Sequence, residues 1–156
     1  MSKHATLALC FRNLEKGPQN TEILLVCEKK RLDDPKEDWM WSLPGGKCCN
    51  KKWLNVGCCP EKPEKTVVRE VKEETGYRAK IKKPVSSQEL TNPERQNKFM
   101  RYVYLIEVTG GKMLENKTPS GSNSPQWFKL SAIPRNLFYS HQNIIRDFFT
   151  KKLLRK

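Results

Sequence analysis

Apolar and polar positions along this chain follow two periods. Ala5 to Phe11 and Ile23 to Glu28 are short β-prone runs joined by a polar stretch containing Gly17-Pro18, which predicts two strands with a longish connection. Trp39 to Leu43 alternates large apolar residues with others and runs into Pro44-Gly45-Gly46, a strong stop. Arg78 to Lys82 and Val85 to Leu90 read as strands separated by Lys83-Pro84, and Met100 to Val108 as a clearer one ended by Gly110-Gly111. Glu115 to Pro125 is loop-like, and Gln126 to Leu130 predicts a last short strand.

The second period is helical. Pro63 suits the first turn of a helix over Pro63 to Thr75, Gly76 suits the left-handed position beyond it, and Val67, Val68 and Val71 form its apolar stripe. His141 to Leu154 predicts a closing helix with Ser140 as N-cap and Ile144, Ile145, Phe148 and Phe149 inward. Strands interrupted by two helices, without strict alternation, argue for an α/β fold with a mixed sheet.

A length of 156 residues predicts one domain, 1–156, able to bury a core. No apolar run approaches bilayer length, and the N-terminus lacks the order of a secretory signal. The expectation is a cytoplasmic protein without a membrane partner. A net charge of +13 narrows the partners to phosphate-bearing ones, or describes a solvated lysine-rich surface. It leaves the fold open.

Against that charge, the helix ends acidic. Glu70, Glu73 and Glu74 stand on neighbouring ridges, where like charges repel. Glu73 and Glu74 also lie in the last turn, where the helix dipole disfavours anions. Either a solvated face neutralised by Lys65, Arg69 and Lys72 offsets this, or a hard divalent cation does, since Mg²⁺ takes carboxylate, phosphate and water oxygens.

The segment Glu61, seven residues, then Arg69-Glu70-Val71-Lys72-Glu73-Glu74-Thr75-Gly76-Tyr77 resembles the Nudix box at every fixed position from Glu61 onward. The preceding Trp41-Ser42-Leu43-Pro44-Gly45-Gly46 resembles the usual lead-in. One departure is plain. Lys47 to Pro60 intervene between Gly46 and Glu61, fourteen residues where the family pattern has five. The loop at about 47–60 therefore carries a cysteine-rich insertion of nine residues (14 − 5).

The resemblance implies a three-layer α/β/α sandwich and a hydrolase of the MutT-like kind, a magnesium- or manganese-dependent pyrophosphatase. Its substrate would be a nucleoside diphosphate linked to another moiety, such as ADP-ribose, or a nucleoside triphosphate. Carried over by position, Glu73 and Glu74 are metal ligands, Glu70 is a ligand or the base that activates water, and the Gly46 carbonyl completes the shell. Arg69 orients the glutamates through its fork of donors, and Glu61 is a supporting ligand or a helix-end contact. Glu89, Glu94, Glu107 and Glu115 are candidates for a base outside the box. An enzyme acting on RNA 5′ ends (pyrophosphate removal or decapping) is the alternative to which the positive charge points, and a non-catalytic nucleotide sensor is a third.

Other features carry weaker signals. Trp39, Trp41, Phe99, Tyr102, Tyr104 and Trp127 each suit base stacking or core packing. Pro93, sixteen residues beyond Tyr77, resembles the spacing of the ADP-ribose-cleaving subgroup, or marks a turn after Asn92. Cys10 and Cys27 read as buried residues. Cys48, Cys49, Cys58 and Cys59 suit a thiol-bearing loop, a zinc site or a disulfide. Oligomeric state has no signature in the sequence.

Overall fold

The computed structural model describes residues 3–28, 39–48, 61–93, 96–115 and 123–154. Among the described residues there are seven strands: β1 (His4–Arg12), β2 (Glu22–Glu28), β3 (Met40–Ser42), β4 (Gly45–Lys47), β5 (Tyr77–Thr91), β6 (Lys98–Gly111) and β7 (Asn123–Lys129). Helix α1 covers Pro63–Thr75 and α2 covers Tyr139–Leu154. Strand pairing runs β3-β2-β1-β6-β5, with β4 also on β1 and β7 on β2. Only β1 and β6 pair in parallel. The class is α/β with a mixed sheet, as the pattern predicts. No helix among the described residues is long and apolar enough to cross a membrane.

The chain divides into two compact units. The first comprises 1–10 and 44–113. In it β1 lies between β6 and β4, in register His4↔Met100 through Cys10↔Ile106 on one side and Ala5↔Lys47 through Leu7↔Gly45 on the other. A strand paired on both edges suits the near-continuous apolar run Leu7-Ala8-Leu9-Cys10, all four buried. Helix α1 packs against β4 and β5, burying Val67 and Val71 completely. Each stabilises the unit by about 1.5–3 kcal/mol relative to exposure. Val68 is half-buried, and Thr66 and Thr75 complete the inward face instead.

The second unit comprises 11–43 and 114–156. Strand β2 is central there, paired with β3, β7 and the last two residues of β1, and Ile23, Leu24, Leu25 and Val26 are buried along it. Helix α2 buries Ile145 and Phe148, the latter stacked on Phe11 at 5.3 Å. It begins at Tyr139, ahead of the predicted Ser140 cap. The Phe138 carbonyl accepts from the amides of His141 and Gln142, and the Phe138 amide donates to the Trp41 carbonyl. Backbone pairing to β3 fixes the start, together with the His141 ring, which accepts from the Leu43 amide at 3.0 Å, and the Gln142 side-chain amide, which donates to the Leu137 carbonyl at 2.8 Å.

One other expectation changes. Lys83-Pro84 does not break β5, which runs unbroken with register shifts at Ile81/Lys83 and Pro84/Ser86. A proline is tolerated because β5 ends the pairing order and its bulges absorb the missing donor. Strand β6 ends on Gly110 and Gly111, opposite Arg78 and Tyr77, as expected. Strand β3 stops at Ser42, ahead of Pro44, and Gly45 and Gly46 open a separate short strand, β4.

Candidate active site

The site is built from one helix and the short strand beside it, both in the first unit. Helix α1 runs from Pro63 to Thr75, and Gly76, with a φ of 84°, caps it, its amide donating to the Lys72 carbonyl. A residue with a Cβ is strained there, so glycine marks the end. Within these limits Arg69, Glu70, Glu73 and Glu74 all fall on the last two turns.

Arg69 organises them. Its Nε and Nη2 donate to the two oxygens of Glu61, each at 2.9 Å, a bidentate charge-assisted pair. Nη1 donates to Glu70 at 2.9 Å and to Glu73 at 3.0 Å, and Nη2 also reaches the Lys47 carbonyl at 3.3 Å. The hydrogen bonds to Glu61 hold the guanidinium well above its ordinary pKa, against an opposing effect of burial. Much of the repulsion expected at the helix end is therefore met by one side chain of the same helix. Lys72 serves elsewhere, donating to the Gly76 carbonyl at 3.2 Å. Glu61, which follows the 47–60 segment in sequence, lies against Arg69.

Strand β4 supplies the other wall. The Gly45 amide donates to Glu74 at 2.9 Å. Gly46 faces Glu70 so closely that a Cβ there would lie 2.6 Å from the Glu70 carboxyl carbon. A larger residue here would push the Glu70 carboxylate aside. The Gly46 carbonyl accepts a long hydrogen bond of 3.4 Å from Thr6. Burial, opposed chiefly by Arg69, raises the Glu70 pKa. The exposures differ accordingly, 16% for the Glu70 side chain and 56% for Glu73.

These oxygens suit a hard dication in kind, since no soft ligand is among them. Among the described residues no three His, Cys, Asp or Glu side chains converge as a ligand cluster. Glu74 is drawn to Gly45, and Glu70 and Glu73 to Arg69. The Glu70 carboxyl group is seated close against Gly46.

Two buried residues escaped the sequence reading. Thr66 Oγ1 lies 2.7 Å from Glu61 Oε1, and His4 Nε2 lies 2.9 Å from Thr66 Oγ1. Thr66 was readable only as a polar residue on an apolar stripe, and nothing in the sequence pairs it with His4.

The remaining candidates fall elsewhere. Glu89 pairs with Lys98 at 3.5 Å and Glu107 with Lys80 at 3.4 Å, each across β5 and β6. Glu115 lies exposed beyond β6, and Glu94 lies outside the described residues. Tyr104 is buried, and Tyr102 packs edge-on to His4 at 6.1 Å. Phe99 is half-buried on β6, and Trp39 is exposed. In the second unit, Trp41 packs on Phe128 at 4.7 Å and Trp127 lies under Arg12 at 4.5 Å. Pro93 lies in the turn between β5 and β6, where the Asn92 and Asn97 backbones pair. Cys10 is buried, which pushes its thiol up to about 12, whereas Cys27 is half-buried. Cys48 is buried beside His4, and Cys49, Cys58 and Cys59 lie outside the described residues.

With this geometry in place, the comparisons with known proteins fall into line. A family profile described as the NUDIX domain matches residues 3–148. The chain belongs to the Nudix family. It is a Nudix hydrolase. It is 28% identical over 134 residues to a protein of Methanocaldococcus jannaschii named ADP-ribose pyrophosphatase, covering 86% of this chain and 69% of that one. Its fold is similar to that of a Nudix hydrolase from Nitrosomonas europaea, with a TM-score of 0.70 at 17% identity, covering 97% of this chain and 91% of the other. It is also similar to the Nudix domain of Shewanella oneidensis NrtR complexed with ADP ribose, with a TM-score of 0.63 at 18% identity, over 98% and 89% of the two chains.

Proposed function

We propose that this Nudix hydrolase cleaves a phosphoanhydride bond in a nucleoside diphosphate linked to a sugar, of the ADP-ribose type, with Mg²⁺ or Mn²⁺. The observation that carries this is the cluster in which Arg69 binds Glu61, Glu70 and Glu73 while Glu74 is tied to Gly45. The name of the M. jannaschii relative and the ligand of the S. oneidensis domain favour the ADP-ribose class.

Glu70, Glu73 and Glu74, with the Gly46 carbonyl, would hold the metal. When bound, such an ion neutralises phosphoryl oxygens and lowers the pKa of a water. The chain's own residues do the rest. Arg69 fixes the carboxylates in a preorganised array, so little reorganisation accompanies reaction. Glu70, whose burial raises its proton affinity, is suited to accept a proton from water. Gly46 leaves that carboxylate room that any larger residue would take away. The Lys- and Arg-rich surface supplies attraction for the diphosphate.

The test is product analysis with Mg²⁺ across ADP-ribose, nucleoside triphosphates, dinucleoside polyphosphates and triphosphorylated RNA, with wild type and Glu74→Gln compared. Hydrolysis of ADP-ribose is expected, abolished by chelation. It should fall by roughly 10²–10³ in the variant, the several kcal/mol of charge stabilisation that a bound metal provides. Turnover of RNA alone would replace this reading with the 5′-end one. Nucleotide binding without turnover of any substrate would replace it with a sensor.

A further inference from the structure

Glu61 follows a long loop, yet both of its oxygens meet Arg69. A third contact completes its seating. Thr66 Oγ1, 2.7 Å from Glu61 Oε1, is also 3.2 Å from the Lys62 carbonyl and 2.9 Å from His4 Nε2. A threonine hydroxyl has one proton to donate. The shorter, charge-assisted contact to the carboxylate is the stronger of the two acceptors. Its oxygen is then free to accept from His4, which requires the Nε2–H tautomer. Thr66 is fully buried and His4 is 4% exposed, so water offers little substitute for either bond.

His4 is fixed in turn by backbone. Its amide points to Cys48 Sγ at 3.4 Å and its carbonyl accepts from the Cys48 amide at 2.9 Å. The β1 register against Met100 holds the other side. The direction of donation is consistent throughout. His4 donates to Thr66 and Thr66 to Glu61, and Glu61 accepts the fork of Arg69.

We propose that Thr66, oriented by His4, is a positioning residue that sets the Glu61 carboxylate, and through Arg69 the places of Glu70 and Glu73. This rests on the reading that those glutamates serve hydrolysis. It also explains how an insertion before Glu61 is accommodated. The carboxylate takes its position from helix α1 and strand β1, which the loop does not determine. Arg69 alone leaves the carboxylate free to swing with the guanidinium, whereas the Thr66 hydroxyl, a short side-chain donor on helix α1, fixes the pair.

Thr66→Val keeps the shape and removes the hydroxyl. In metal-free protein, solvent exchange of the Arg69 Nε–H, followed by ¹⁵N NMR, should accelerate in Thr66→Val and return towards wild type in Thr66→Ser. In the Mg²⁺ assay kcat should fall about tenfold with KM little changed, since misplacement of this kind acts on the transition state. Thr75→Val is the control. That residue is buried on the same helix but, among the described residues, bonds only the Val71 carbonyl and the Tyr77 amide, so Arg69 exchange should be unaffected. If Thr66→Val does not fold, His4→Phe removes the next donor and is read in the same way. Unchanged exchange and kcat in a folded variant, or the same acceleration in Thr75→Val, would overturn the proposal. Absence of diphosphate hydrolysis by wild type would instead remove the functional reading, with the exchange measurement still deciding the positioning role.

Discussion

Two arginines of the first unit show what a guanidinium needs from its surroundings. Arg69 has Glu61, Glu70, Glu73 and the Lys47 carbonyl as acceptors, and its proton affinity rises. Arg101, on β6, donates Nη2 to Gln88 at 3.2 Å, but its Nε is screened from solvent with no hydrogen-bond partner among the described residues. Burial lowers its pKa. Side chains of one type thus differ by whether acceptors meet their fork. Arg69 is a structural centre, and Arg101 carries an unmet donor.

The largest expected effect tests Arg69. Arg69→Lys keeps the charge but loses the planar fork, so the glutamates lose their common tether. Activity should drop by about 10²-fold or more, and stability in urea denaturation by about 1–3 kcal/mol. Retention of near wild-type kcat would mean that charge alone suffices and that the fork is dispensable.

An intermediate effect concerns Glu70 and pH. Its folded-state pKa is raised, with burial as the leading cause. The stabilisation from its protonated form is therefore fully present below the ordinary glutamate range and lost as pH rises through the raised value. In chelator, thermal denaturation of wild type and Glu70→Gln should show the wild type losing ground across that window. A gap independent of pH, or one that widens in favour of wild type as pH rises, would contradict the stated direction.

The smallest effect sharpens the contrast at Arg101. Arg101→Met keeps most of the apolar stem, which packs independently of the head group, and removes the unmet donor. The expected change is a gain or loss within about 1 kcal/mol, because an unsatisfied buried donor is itself costly. A loss comparable to Arg69→Lys would show that Arg101 is held by more than Gln88.

The sequence by itself determined what depends on residues close in the chain. The limits of α1 follow from Pro63 and Gly76, and the spacing of Arg69, Glu70 and Glu73 places them on adjacent turns. A helix is a local structure whose period fixes which side chains meet. Most strands were also legible from alternation, although β5 was divided at Pro84. Its continuity depends on pairing with β6 and on bulges that no local propensity encodes. Tertiary structure decided the rest of the site. His4 meets Thr66 across sixty-two positions of chain and Gly45 meets Glu74 across twenty-nine. Strand register and helix packing bring such pairs together, and both are set by burial of apolar faces distant in sequence. Arg101 was unreadable for the same reason, since its fate rests on the cross-strand neighbour Gln88 and on burial within the folded unit.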